Sequence, residues 1–100
     1  MTTATDQLAT TVERRIRSVA DYARSLGPDY LDTIVALDRA ADHVADGESN
    51  GAVHTLIGAR RKAPEDAVTL RVRIARLEGY AHALNVMVTA DAEAFTIAGV

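Results

Sequence analysis

Apolar positions recur at intervals of three and four along most of the chain, and four segments carry the pattern far enough to predict helices. In the first, about Asp6 to Leu26, Leu8, Val12, Ile16, Val19, Ala23 and Leu26 share a stripe. Glu13, Arg14, Arg17, Asp21 and Arg24 lie opposite, and Arg15 falls at the stripe's edge beside Tyr22. Thr5 or Asp6 can cap the start, and Gly27-Pro28 ends the segment. The second segment opens at Pro28, with Asp29 and Asp32 at its positive end, and buries Tyr30, Ile34, Leu37, Ala41 and Val44. It stops in the loop DGESNG, residues 46–51, after which Ser49 or Asn50 can cap a short third helix bearing Val53, Leu56 and Ile57.

Residues 68–74, VTLRVRI, alternate as a strand does. Pro64-Glu65-Asp66, however, is a helix start signal, and a helical stripe runs on through Leu70, Ile74, Leu77, Ala81, Leu84 and Val88. A helix accounts for the whole segment, whereas a strand accounts for seven residues. This fourth helix has a second apolar face: Val68, Val72, Ala75, Gly79, Ala83 and Val86. A helix apolar on two sides is buried on two sides. It is therefore expected to be the central helix of the domain or the seam of a homodimer, with the small residues Ala75, Gly79 and Ala83 admitting a close neighbour. The tail TADAEAFTIAGV extends the helix or forms a separate turn anchored by Phe95.

Composition narrows the class. One hundred residues make one domain. Four aromatics among abundant Ala favour packed helices over a β-sandwich. The absence of cysteine excludes disulfides, thiolate metal sites and thiol nucleophiles. No apolar run is long enough to span a membrane and the N-terminus lacks the order of a secretory signal, so a cytoplasmic location is expected. Ten of the eleven basic residues are Arg, which together with the Ala content points to a GC-rich bacterial or phage genome. A formal charge of −3 argues against a dedicated nucleic-acid binder.

Candidate chemistry is sparse. Arg60-Arg61-Lys62 is the one basic run, and it sits where a helix's negative end would be, followed by acids where the next helix's positive end would be. Charge order explains it as a helix junction; the other reading is a basic patch for a partner. Arg71, Arg73 and Arg76 do not extend that patch into one stripe, because Arg73 falls near the apolar stripe and Arg71 points away from Arg76. His43, His54 and His82 lie on three different helices without a local ligand pair. Asp38, Asp42 and Asp46 form a ridge on the second helix that reads as a solvated acidic face. The loop DHVADGESNGAV has Val44 and Val53 where a calcium loop needs oxygen ligands. No nucleophile elbow, phosphate loop or dinucleotide fingerprint is present.

Gly47, Ala52, Leu56, Ala59 and Pro64 stand at the spacings of the second half of a tetratricopeptide repeat, and this stretch resembles that family. In the first half Ala40 fits, while Ala36 and Arg39 replace larger apolar residues. The resemblance covers one unit and implies an antiparallel helix pair with close Ala packing. RLEGYAHALNVMV, from Arg76, is similar to a helix of copper-sensing helical repressors, whose cysteine ligands this chain does not have.

The sequence predicts a single all-α domain over residues 1–100, a four-helix bundle of short helices with a long, doubly apolar C-terminal helix. Its expected function is a non-enzymatic protein–protein interaction module that self-associates through Val72, Ala75, Gly79 and Ala83, with a small helical enzyme using Arg and Glu side chains as the third reading. The alternative is a small nucleic-acid-binding regulator using Arg60, Arg61 and Lys62. No catalytic, cofactor or metal constellation is legible, and no membrane partner is expected.

Overall fold

Four α-helices carry the computed structural model, which describes residues 3–98, with side chains as far as residue 94: α1 (Ala4–Leu26), α2 (Leu31–Ala45), α3 (Ser49–Lys62) and α4 (Val68–Ala98). No strand occurs among the described residues. A 3₁₀ turn, Pro28–Tyr30, leads directly into α2, so Pro28 opens this turn and not the α-helix itself.

Local chemistry sets the boundaries, at several points differently from the sequence expectation. Thr3, not Thr5 or Asp6, caps α1: its hydroxyl accepts the Asp6 N–H at 3.0 Å, and Asp6 Oδ2 accepts the Thr3 N–H at 3.3 Å. This is a capping box with Asp in the place usually held by Glu or Gln. Gly27 (φ +123°) and Gly47 (φ +79°) end α1 and α2 in backbone conformations that side chains disfavour. Ser49 is the first residue of α3 and does not cap it. The residue is buried, and its hydroxyl donates to Asn85 Oδ1 at 2.9 Å, tying α3 to α4. Ala63 is extended, as a residue before proline should be. Pro64 to Ala67 then forms a turn closed by Ala67 N–H donating to Pro64 O at 3.0 Å, so that α4 starts at Val68.

Each helix packs against its neighbours in the chain, and α4 closes the bundle against α1. Side-chain pairs fix the directions. Thr5 with Asp91, Arg15 with Tyr80 and Tyr22 with Arg73 run α1 and α4 antiparallel. Arg17 with Asp42 and Arg24 with Asp38 do the same for α1 and α2. The core holds Val12, Ile16 and Val19 of α1, Leu37, Ala41 and Val44 of α2, Leu56 of α3, and Leu70, Ile74, Leu77 and Leu84 of α4. Ala36, Ala40, Ala52 and Ala59 are buried where α2 and α3 meet the core, and the two helices form the close-packed pair that the repeat resemblance implied.

Residues 68–74 are helical. Their alternation dissolves on the helix, where Leu70 and Ile74 are buried while Val68 and Val72 are exposed on the other side. The expectation that α4 is buried on both faces does not hold. Val68, Val72 and Val86 are 63%, 45% and 53% exposed, Ala75, Gly79 and Ala83 are exposed too, and α4 meets α1 and α3 but not α2. It is a wall of the bundle and not its centre. At 31 residues, roughly 46 Å long, it sets the long dimension of a molecule measuring 52 × 23 × 17 Å. The expected anchoring role of Phe95 lies outside the described side chains.

Candidate functional site

The exposed face of α4 is a strip in which Val72, Ala75, Gly79, Ala83 and Val86 follow at helical spacing, with Val68 at its start. Nothing lies within 4 Å of the position a β-carbon on Gly79 would take. The strip is flat at its middle and bulkier at its ends. Arg71 and Arg76 flank its N-terminal half, and Glu93 lies beside its C-terminal end.

The basic run does not act as one patch. Arg60 reaches across to α4, where Nε donates to Glu78 Oε2 at 2.6 Å and Nη2 to Oε1 at 3.2 Å. This two-pronged bond holds the Arg60 guanidinium above its ordinary value, through the hydrogen bond first and then the charge of Glu78. Arg61 and Lys62 remain exposed at the end of α3. The acidic ridge on α2 is likewise turned to a neighbour. Asp42 accepts from Arg17 at 3.1 Å, and Asp38 pairs with Arg24. Asp42, and then Glu13, raise the Arg17 guanidinium above its usual value. His43 Nδ1 lies 2.7 Å from Glu48. Among the described residues no group of three or more His, Asp or Glu is arranged to hold a metal ion.

A third locus went unnoticed in the sequence. Between α1 and α4 runs a groove of about 210 Å³, lined by Arg15, Ser18, Val19, Arg73, Arg76, Leu77 and Tyr80. The Arg15 guanidinium lies over the Tyr80 ring at 4.9 Å, and that of Arg73 over Tyr22 at 4.0 Å. Arg15 and Tyr22 share one side of α1 as the sequence implies, but each is engaged from α4, Arg15 by Tyr80 and Tyr22 by Arg73. The signal was present as a repeated octapeptide, RIRSVADY at 15–22 and RIARLEGY at 73–80. Each supplies Arg and Tyr seven residues apart, two helical turns, so both project on one side of their helix. Ile16 and Ile74, with Val19 and Leu77, are the buried positions between them. Running the two helices antiparallel sets each Arg on the other helix's Tyr.

The described residues thus define an all-α four-helix bundle with an uncovered apolar strip and a basic groove. No family model, curated protein or solved structure matches this chain. No helix among the described residues is long and apolar enough to cross a membrane.

Proposed function

We propose that this chain is a non-enzymatic helical interaction module that self-associates through the outward face of α4. The observation that carries the reading is the exposure of Val68, Val72 and Val86 in one line, with Ala75, Gly79 and Ala83 between them. A contiguous apolar strip on a small domain is what an interaction surface looks like, whereas scattered apolar residues need no explanation. The partner is a second copy, and charge gives its orientation. Arg71 stands near one end of the strip and Glu93 near the other, roughly 33 Å apart along the helix, well beyond the screening length of about 8 Å. A parallel partner would set Arg71 beside Arg71 and Glu93 beside Glu93, while an antiparallel one brings Arg71 to Glu93, with Glu65 also present at the first end. Antiparallel pairing also gives the twofold, self-complementary contact usual in dimers.

Sedimentation equilibrium tests this. The expected result is a dimer that Val72→Asp returns to a folded monomer. A parent chain that stays monomeric at high concentration would sink the reading. The nucleic-acid reading through Arg60, Arg61 and Lys62 has less support, because Arg60 is already engaged by Glu78.

A further inference from the structure

We propose that the groove between α1 and α4 is a binding site for a phosphate group, held by Arg15, Arg73 and Arg76. The first argument is charge. In the α1–α2 seam the arginines are neutralised, Arg17 by Glu13 and Asp42 and Arg24 by Asp21 and Asp38. In the α3–α4 seam Arg60 is neutralised by Glu78. The α1–α4 groove collects three guanidiniums, and none of its lining residues is acidic. Among the described residues none of the three takes part in an ion pair. Three exposed like charges along one groove of an otherwise acidic chain favour an anion there.

The second argument is preorganisation. Arg15 and Arg73 are stacked on Tyr80 and Tyr22. Stacking occupies the face of a guanidinium and leaves its N–H edge available, and that edge matches the oxygens of a phosphate. The rings fix the side chains in advance, so less rotamer freedom is lost on binding. Ser18 adds a hydroxyl to the lining, and Arg76 lies on α4 between Arg73 and Tyr80. The groove, about 210 Å³, leaves room for a phosphate or diphosphate group. A small phosphate ester fits better than a nucleic-acid strand, because the next surface along α1 mixes Glu13 and Asp21 with Arg14 and Arg17 and so does not continue the groove as a basic track. Arg73 and Tyr80 face α1 while Val72 and Gly79 face outward, and Arg76 lies between the groove and the strip, so the titration is run alongside sedimentation to separate binding from self-association.

The experiment is a titration with inorganic pyrophosphate, followed by the arginine Nε–Hε resonances and by tyrosine fluorescence. Two of the three tyrosines touch the groove arginines and the chain has no tryptophan. The expected result is saturable movement of the Arg15, Arg73 and Arg76 signals. Arg76→Gln should weaken binding about tenfold, and Arg39→Gln, on the exposed side of α2, should leave it unchanged. Absence of saturable movement, or equal weakening by the two substitutions, would overturn the proposal. A short oligothymidylate forms the second arm. Displacement of pyrophosphate from the same arginines assigns the phosphate to a strand, and failure to displace it assigns a small phosphate compound.

Discussion

Arg73 of α4 covers the ring of Tyr22 of α1 at 4.0 Å, and one helical repeat away the roles reverse, with Arg15 of α1 over Tyr80 of α4 at 4.9 Å. The crossed pairs bridge the seam that closes the bundle. Exposed cation–ring contacts contribute about 0.5–1 kcal/mol each. Double-mutant cycles in urea, with Arg→Gln and Tyr→Leu at each pair, should return coupling in that range. The value should be larger for Arg73–Tyr22, which is closer and whose ring packs against the core. Equal coupling near zero in both cycles would mean that the stacks contribute nothing to stability.

Gly79 separates fold from association. Because nothing lies near its missing side chain, Gly79→Ala should stabilise the single chain by up to about 1 kcal/mol, the helix-propensity difference. Gly79→Leu should leave the chain folded but hold two copies apart, raising the dissociation constant in sedimentation. A central helix would lose its fold in the Leu variant, and a dimer seam would lose its association. The exposure of this position removes the first. Unfolding of Gly79→Leu would contradict the placement of α4 at the bundle's edge.

Within the basic run, the three residues should behave differently. Arg60→Ala leaves Glu78, whose side chain is 17% exposed, without its partner and should lower the melting temperature. Arg61→Ala and Lys62→Ala should not. A pairing that raises a guanidinium's value stabilises fully below the group's ordinary, strongly basic value and is lost only as pH rises through the higher folded one. The Arg60 effect should accordingly be constant across neutral pH. A melting-temperature difference that changed between pH 6 and 9 (roughly the workable range) would point to another titrating group.

Ser49 and Asn85 provide a partly buried tie between α3 and α4. Ser49→Ala should cost about 1 kcal/mol in chemical denaturation, and Asn85→Ala a similar amount. The double variant should cost less than their sum, because the second change removes a group already left unpaired. Strict additivity would show that the two side chains do not interact.

These residues mark where the sequence was legible. The stripe from Leu70 to Leu84 and the breaks at Gly27 and Gly47 defined four helices, because burial on one side imposes a period that a single chain displays, whereas Pro64, read as a helix start, opens a turn ahead of Val68. The state of the second face of α4 could not be read in this way. Val68 and Val72 have the same composition whether a helix covers them or not, and only the count of neighbours decides. The capping residue was misplaced for a local reason, since Thr3, Thr5 and Asp6 all have capping chemistry and the choice depends on where the first turn closes. The groove was missed because its meaning lies between helices. Arg15 and Arg73 each look unremarkable on their own helix and acquire a role only when α1 and α4 lie antiparallel.

The hydrogen bond from Thr5 to Asp91 joins residues 86 positions apart, and the two cation–ring contacts of the α1–α4 seam also join residues far apart in the chain. Time is the dimension this affects. Closing so long a loop carries more entropy loss than folding the α2–α3 hairpin, whose partners are close in sequence. The hairpin is expected to form early and the seam last, so substitutions at Ala52 or Leu56 should slow folding, while those at Arg73 or Tyr22 should chiefly speed unfolding. A seam that is last to close is also first to open, and a ligand bridging it would act as a latch on the finished chain. The same arginines would then set how long the bundle lives as well as what it binds.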